Sequence, residues 1–245
     1  PARTLAQTKT PDEVYQIALS RGQQMRGMGI TVDFAPVVDV SDQGADTVIG
    51  DRSFSNDPAT VTAYAGAFAR GLRDAGVLPV LKHFPGHGHA SGDSHTAGVV
   101  MTPPLDQLMT SDLVPYQTLT SQGPVAVMMG HLEVPGLTGD QPASLSQAAV
   151  GLLRSGGYGG AAFNGPVFSD DLSSMAAISS RYGVAEAVLR TLQAGVDVAL
   201  WITTDEVPAV LDRLEKAVAA GELSMPAVEA SILRMGKGPS ARCGG

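Results

Sequence analysis

The 245-residue sequence predicts an α/β fold of the (β/α)8-barrel type, lacking its N-terminal strand or strands. Three observations lead there. Helical segments with one apolar stripe alternate with short apolar runs. The runs show little polar alternation, as strands covered by helices on both faces do. Polar and charged residues gather where the runs end, the edge at which parallel barrels assemble their active sites.

The first visible element is a helix, not a strand. Thr10 and Glu13 form a capping-box pattern with Pro11 at the first helical position, and Val14, Ile17, Ala18, Met25 and Met28 follow a helical stripe. The apolar run 30–40 comes next and closes on Asp39, behind Val37 and Val38. Asp57-Pro58 opens a second helix, with Val61, Tyr64, Ala65, Phe68 and Leu72 on one face and Gly76 as its stop. The run 77–84 ends in Lys82-His83-Phe84, the run 125–131 ends on His131, and the run 166–169 is followed by Asp170-Asp171. A further run covers 196–201, and further helices are predicted over 105–121, 185–194, 205–220 and 224–235. Such alternation with Gly/Asp-rich connections argues for a parallel sheet. Five or six strands are countable, whereas a complete barrel takes eight strands and typically ~250 residues. One or two βα units are therefore expected to be missing at the N-terminus. With no repeat and no low-complexity linker, residues 1–235 read as one barrel domain and 236–245 as a Gly/Pro-rich tail.

Composition limits the function classes. Apolar residues make up 44% and charged residues 16%, enough to bury a sizeable core and to exclude disorder. No apolar run approaches the ~18 residues of a membrane span. The net charge is -8 and no Lys/Arg cluster interrupts it, which argues against nucleic acid as a partner. Cys243 is the single cysteine, so no internal disulfide framework exists. The sequence starts at Pro1 without an initiator Met or a signal-peptide pattern, so a processed chain or a fragment is expected.

The densest chemistry lies in residues 82–95, where four of the five histidines fall within thirteen residues of a Gly-rich loop. One reading is a metal site made of His87, His89, Asp93 and His95, although the spacing fits no defined zinc pattern. The other is a His–Asp dyad. Asp93 and His95 are two residues apart, so in an extended stretch they share a face. A carboxylate on one imidazole nitrogen fixes the tautomer, and a side chain with an unperturbed pKa of ~6.5 can both give and take a proton near neutrality. Of the paired acids 170 and 171, one is expected to cap the following helix, with Ser169 as a rival cap. Asp170 then stands as a nucleophile candidate at a strand end facing the His-rich loop. Arg52 is either a solvated loop residue or a donor fork for substrate hydroxyls. Asp39 is placed to orient neighbours or to touch ligand.

These segments resemble the (β/α)8 domain of glycoside hydrolase family three, and within it the NagZ-type β-N-acetylglucosaminidases. The resemblance is carried by Val32-Asp33-Phe34-Ala35-Pro36-Val37-Val38-Asp39-Val40, Ile49-Gly50-Asp51-Arg52-Ser53-Phe54, Lys82-His83-Phe84-Pro85-Gly86-His87-Gly88, Asp93-Ser94-His95 and Phe168-Ser169-Asp170-Asp171-Leu172, in the family's order. It implies Asp170 as the nucleophile, His95 as the acid/base and Asp93 as its partner. It implies Arg52, Lys82 and His83 as ligands of the terminal sugar, with Asp39 and His131 near the same site. The implied activity is exo-acting, retaining removal of terminal β-linked N-acetylglucosamine from peptidoglycan fragments, without metal or organic cofactor, by a monomer. A phosphorylase, a non-catalytic carbohydrate-binding remnant and a metallohydrolase are the alternatives. The family pattern opens with further strands and an Asp-Gln-Glu-Gly-Gly-type acidic segment that this sequence lacks. The Ala/Gly/Arg-rich composition leans towards the cell envelope, with the cytoplasm as the alternative.

Overall fold

The computed structural model describes residues 1–92 and 98–236. Its sheet holds four parallel strands in sequential order: β1 (Val32–Asp33), β2 (Leu78–Phe84), β3 (Ala126–Met129) and β4 (Val167–Ser169). The register pairs Val32 with Leu78, Val80 with Ala126 and Val127 with Val167. A single parallel bridge, Phe168 to Val198, attaches the next segment. The result is an arc of a TIM-type barrel. The fifth predicted strand, over 196–201, is thus a one-bridge segment. The first predicted strand, over 30–40, shortens to two ladder residues. Pro36 lies in that run and has no N–H for the ladder, although Val37 still bridges Lys82.

Both faces of the arc are covered, which explains the missing polar alternation. Val77, Leu81, Phe84, Val125, Val127, Met129 and Val167 belong to the large cluster beneath the helices. Leu78, Val80, Ala126, Met128 and Phe168 form the opposite face, with Val32, Val198 and Leu200. The pleat places every second side chain on one face. Position 82 therefore continues the 78–80 parity, and 170 that of 168, so Lys82 and Asp170 leave the strand ends on the concave side.

The helices follow local signals. α1 (Ala2–Thr8) carries no side-chain cap at its N-terminus. α2 (Pro11–Gly27) closes its capping box: Thr10 Oγ1 accepts the Glu13 N–H at 3.2 Å and Glu13 Oε1 accepts the Thr10 N–H at 3.2 Å. α3 (Pro58–Asp74) starts on Asp57, which accepts the Thr60 N–H at 2.9 Å. It packs tightly on α2, since a Cβ at Gly71 would stand 2.6 Å from the Tyr15 carbonyl oxygen.

The single helix predicted over 105–121 is two short ones, α4 (Leu105–Leu108) and α5 (Val114–Leu119). Pro115 explains the break, because a proline inside a helix loses one bond and clashes with the carbonyl four residues back. α6 (Gln147–Ser155) opens on Ser146, whose hydroxyl accepts the Ala149 N–H, and ends at Gly156 with φ +84°. Then follow α7 (Ala176–Ser179), α8 (Val184–Gln193), α9 (Val207–Ala219) and α10 (Met225–Gly236). The predicted tail therefore begins inside a helix, and residues 237–245 lie outside the described residues. No helix among the described residues is long and apolar enough to cross a membrane.

Candidate active site

The C-terminal ends of β2, β3 and β4 bring Lys82, His83, His131 and Asp170 into one region. Asp170 follows the last residue of β4, and its backbone N–H donates to the Met129 carbonyl at 3.0 Å. Its carboxylate accepts the Asp171 N–H at 2.8 Å, is 16% exposed, and approaches His83 Nε2 at 3.8 Å. The other ring nitrogen of His83 is held from behind by Asp39, with Nδ1 2.8 Å from Oδ2. Asp39 is fully buried and also accepts the backbone N–H groups of His83 and of His87, the latter at 2.8 Å. Burial alone would raise its pKa, but the charges and hydrogen bonds of His83 and His87 outweigh that and hold it below the usual carboxylate range. With no open face, the Asp39 carboxylate orients two histidines and is not placed to contact a ligand.

Lys82 and Arg52 line a cavity of about 270 Å³ together with Arg21, Phe34 and Phe54. Burial pushes the Lys82 pKa down, while the negative charge of Asp170 opposes the shift and Arg52 adds to it. Among the described residues, Lys82 makes no ion pair. The Arg52 guanidinium donates to the Val48 carbonyl and is otherwise exposed at the cavity rim.

His131 occupies a different place from the one expected of a sugar ligand. Its ring is 2% exposed, with Nδ1 2.7 Å from Ser144 Oγ and Nε2 2.6 Å from the Asp171 carbonyl oxygen. A carbonyl only accepts, so Nε2 carries the proton and Nδ1 accepts from Ser144. Burial lowers its pKa and keeps the ring neutral. Both nitrogens serve the protein and brace the chain just beyond Asp170. The helix cap expected of Asp171 does not form: Met175 stands at the N-terminus of α7, which has no side-chain cap, and Asp171 instead closes the turn ahead of that helix. It takes the N–H and hydroxyl groups of Ser173 and Ser174. Burial would raise its pKa, and these bonds lower it instead.

Asp93 and His95 lie outside the described residues, so the expected dyad has no geometry here. The histidines that precede them have separate partners. His89 Nδ1 meets Asp112 Oδ2 at 3.0 Å, and Asp112 is buried in the turn between α4 and α5. His87 is buried and stacks edge-to-face on His83 at 6.0 Å. Among the described residues, no three His, Cys, Asp or Glu side chains converge as a metal site.

Several supporting residues escaped the sequence. Arg3 donates to the carbonyls of Ser41, Gln43 and Gly50 and so pins the loop ahead of Arg52. Nothing in a short unannounced helix signals that. Asp112 gave no signal either, whereas Ser146 directly before an apolar stripe was a legible start for α6.

A parallel β/α arc thus brings a carboxylate and an imidazole to face each other at its strand ends, the edge where barrel enzymes carry their active sites. Residues 1–237 match the glycosyl hydrolase family 3 N-terminal domain, and the chain belongs to that family. Beta-hexosaminidase LpqI of Mycobacterium tuberculosis is 70% identical over 246 residues, covering 99% of this chain and 63% of that protein. The chain thus spans less than two thirds of that relative. A family 3 glycosyl hydrolase from Mycobacterium smegmatis superposes with a TM-score of 0.94 at 74% identity, over 96% of this chain and 73% of the other. A family 3 β-N-acetylglucosaminidase from Paenibacillus gives 0.88 at 33% identity, over 96% of this chain and 44% of the other.

Proposed function

We propose that this chain carries the catalytic machinery of an exo-acting, retaining β-N-acetylglucosaminidase that trims terminal N-acetylglucosamine from peptidoglycan fragments. The observation that carries the reading is Asp170, a partly open carboxylate at the end of β4, 3.8 Å from an imidazole whose far nitrogen is fixed by a buried aspartate. Relatives named β-hexosaminidase and β-N-acetylglucosaminidase support the sugar.

Asp170 attacks the anomeric carbon through an oxocarbenium-like transition state. The glycosidic bond breaks as His95 gives its proton to the departing oxygen. His95 then takes a proton from water, which attacks the same carbon and releases Asp170. Asp93 holds the His95 ring. Lys82, His83 and Arg52 hold hydroxyls of the terminal sugar, while Asp39 fixes His83 and His131 braces the backbone behind Asp170. Residues 1–235 serve as one barrel unit in this reading.

The test is Asp170→Ala in the full-length protein with a nitrophenyl β-N-acetylglucosaminide. Turnover is expected to fall by on the order of 10⁴-fold, as when a nucleophile is removed from a cooperating set. Turnover equal to the wild type defeats the assignment.

A further inference from the structure

Ile202 is an apolar side chain left open beside the nucleophile candidate. It is 66% exposed. A lone exposed apolar residue is ordinary on a protein surface, but the setting of this one is specific. Four hydrogen bonds lace the segment 198–202 to the chain around Asp170. The Ser169 N–H donates to the Val198 carbonyl at 2.9 Å and the Leu172 N–H to the Leu200 carbonyl at 2.9 Å. The Leu200 N–H donates to Ser169 Oγ at 2.9 Å and the Ile202 N–H to Ser173 Oγ at 3.1 Å. Ser173 Oγ in turn donates to Asp171 Oδ1 at 2.6 Å. These bonds engage the chain on both sides of Asp170, so the backbone at 202 is fixed relative to the carboxylate.

The pleat gives the direction. Val198 and Leu200 pack on the concave face with Leu78, Val80 and Phe168. Ala199 and Trp201 pack on the other face with Leu172, Ile178 and Val188. Residue 202 therefore falls in the concave parity, as Lys82 and Asp170 do. The bridge from Phe168 to Val198 sets Asp170 level with Leu200, and Ile202 stands one concave position farther out. Lys82 and His83 rise from β2, on the opposite side of Asp170 in the strand order. The site thus has a polar flank on one side of the carboxylate and an apolar flank on the other.

A terminal N-acetylglucosamine offers hydroxyls to the first flank and carries one apolar substituent, the acetyl methyl. That methyl hangs from C2, the neighbour of the carbon that Asp170 attacks. We infer that Ile202 packs on the acetyl methyl and is a specificity-determining residue for the N-acylated sugar. The inference rests on the glycosidase reading above. Two nitrophenyl β-glycosides separate the two: that of N-acetylglucosamine and that of its formamido analogue, which lacks only the methyl. They share one leaving group, so proton donation does not distinguish them. In the full-length protein, Ile202→Ala is expected to lower kcat/KM on the acetamido substrate about tenfold and on the formamido substrate by less than about twofold, as when one small apolar group leaves a pocket contact. Ile202→Val is expected to keep most of the wild-type preference, and neither variant should melt earlier, because the side chain is exposed. Equal losses on both substrates in Ile202→Ala, or an acetamido preference that survives it, overturn the contact. A lowered melting temperature with unchanged preference assigns Ile202 to packing in the full-length protein and overturns it as well. A wild-type protein that cleaves neither glycoside overturns the glycosidase reading and the contact with it.

Discussion

Asp170 and Asp197 stand at the two ends of β4 and have opposite surroundings. Asp197 sits at the start, where its backbone N–H bonds Val167 at 2.9 Å. Its carboxylate is fully buried and accepts from Arg154 at 2.7 Å, Arg234 at 2.9 Å, Ser231 at 2.7 Å and the Val167 N–H at 2.9 Å. It ties α6 and α10 to the sheet. Among the described residues, Asp170 accepts a single backbone N–H, and it stays partly open, facing Lys82 and His83. The same residue type is saturated at the N-terminal edge of the sheet and left available at the C-terminal edge. Barrels divide stability from chemistry along this axis, and unsatisfied valence, more than residue type, marks the working end.

The comparison breaks first if exchanging roles costs nothing. Asp170→Ala should abolish turnover while shifting the melting temperature by little. A large loss of stability in that variant would place Asp170 with Asp197 as a structural group. His95→Ala probes the partner across the sugar. It should slow a poor leaving group by about 10²–10⁴-fold and a good one far less, because only the poor one needs a proton. Equal losses on both would remove His95 from the acid/base role.

Asp197→Ala should do the reverse of Asp170→Ala. It strands Arg154, Arg234 and the Val167 N–H, at a cost of about 3 kcal/mol, and lowers the melting temperature by roughly 6–12 °C in a chain of this size. The surviving folded fraction should retain its kcat, and a melting temperature unchanged from the wild type would contradict the hub.

The smallest effect is a pH slope. His131 has a folded pKa below its ordinary value, so the unfolded chain binds the extra proton as pH falls. Its contribution to stability is complete above about 6.5 and declines below it, by at most about 1.4 kcal/mol per pH unit. Urea titrations of His131→Gln should show a shallower loss of stability between pH 7 and 5 than the wild type. Parallel curves would contradict a buried neutral ring.

Much of this was legible from local chemistry. The capping box at Thr10, the Asp57 cap and the covered strands follow from spacing alone, and strand parity carries Lys82 and Asp170 to one face. The helix cap read at Asp171 is instead a turn closed on Ser173 and Ser174, ahead of a helix with no side-chain cap. Tertiary competition hid the rest. Pro115 divided a stripe that otherwise fits one helix, and Pro36 cut the first strand short. Asp39 became a buried anchor because two backbone N–H groups and an imidazole converge on it from residues 83–87, more than forty positions away. His131 carried the right residue type at a strand end, but Ser144 and the Asp171 carbonyl hold both its nitrogens. An acid inside the apolar run 196–201 was a visible sign of Asp197, but its partners come from α6 and α10.

Asp170 as the covalent nucleophile is tested most directly by trapping. The full-length protein would be incubated with a 5-fluoro N-acetylglucosaminyl fluoride, digested, and its peptides mapped by mass spectrometry. The account predicts one added sugar on the peptide containing Asp170, absent from Asp170→Ala. A sugar attached to any other side chain, or label retained in Asp170→Ala, would contradict it.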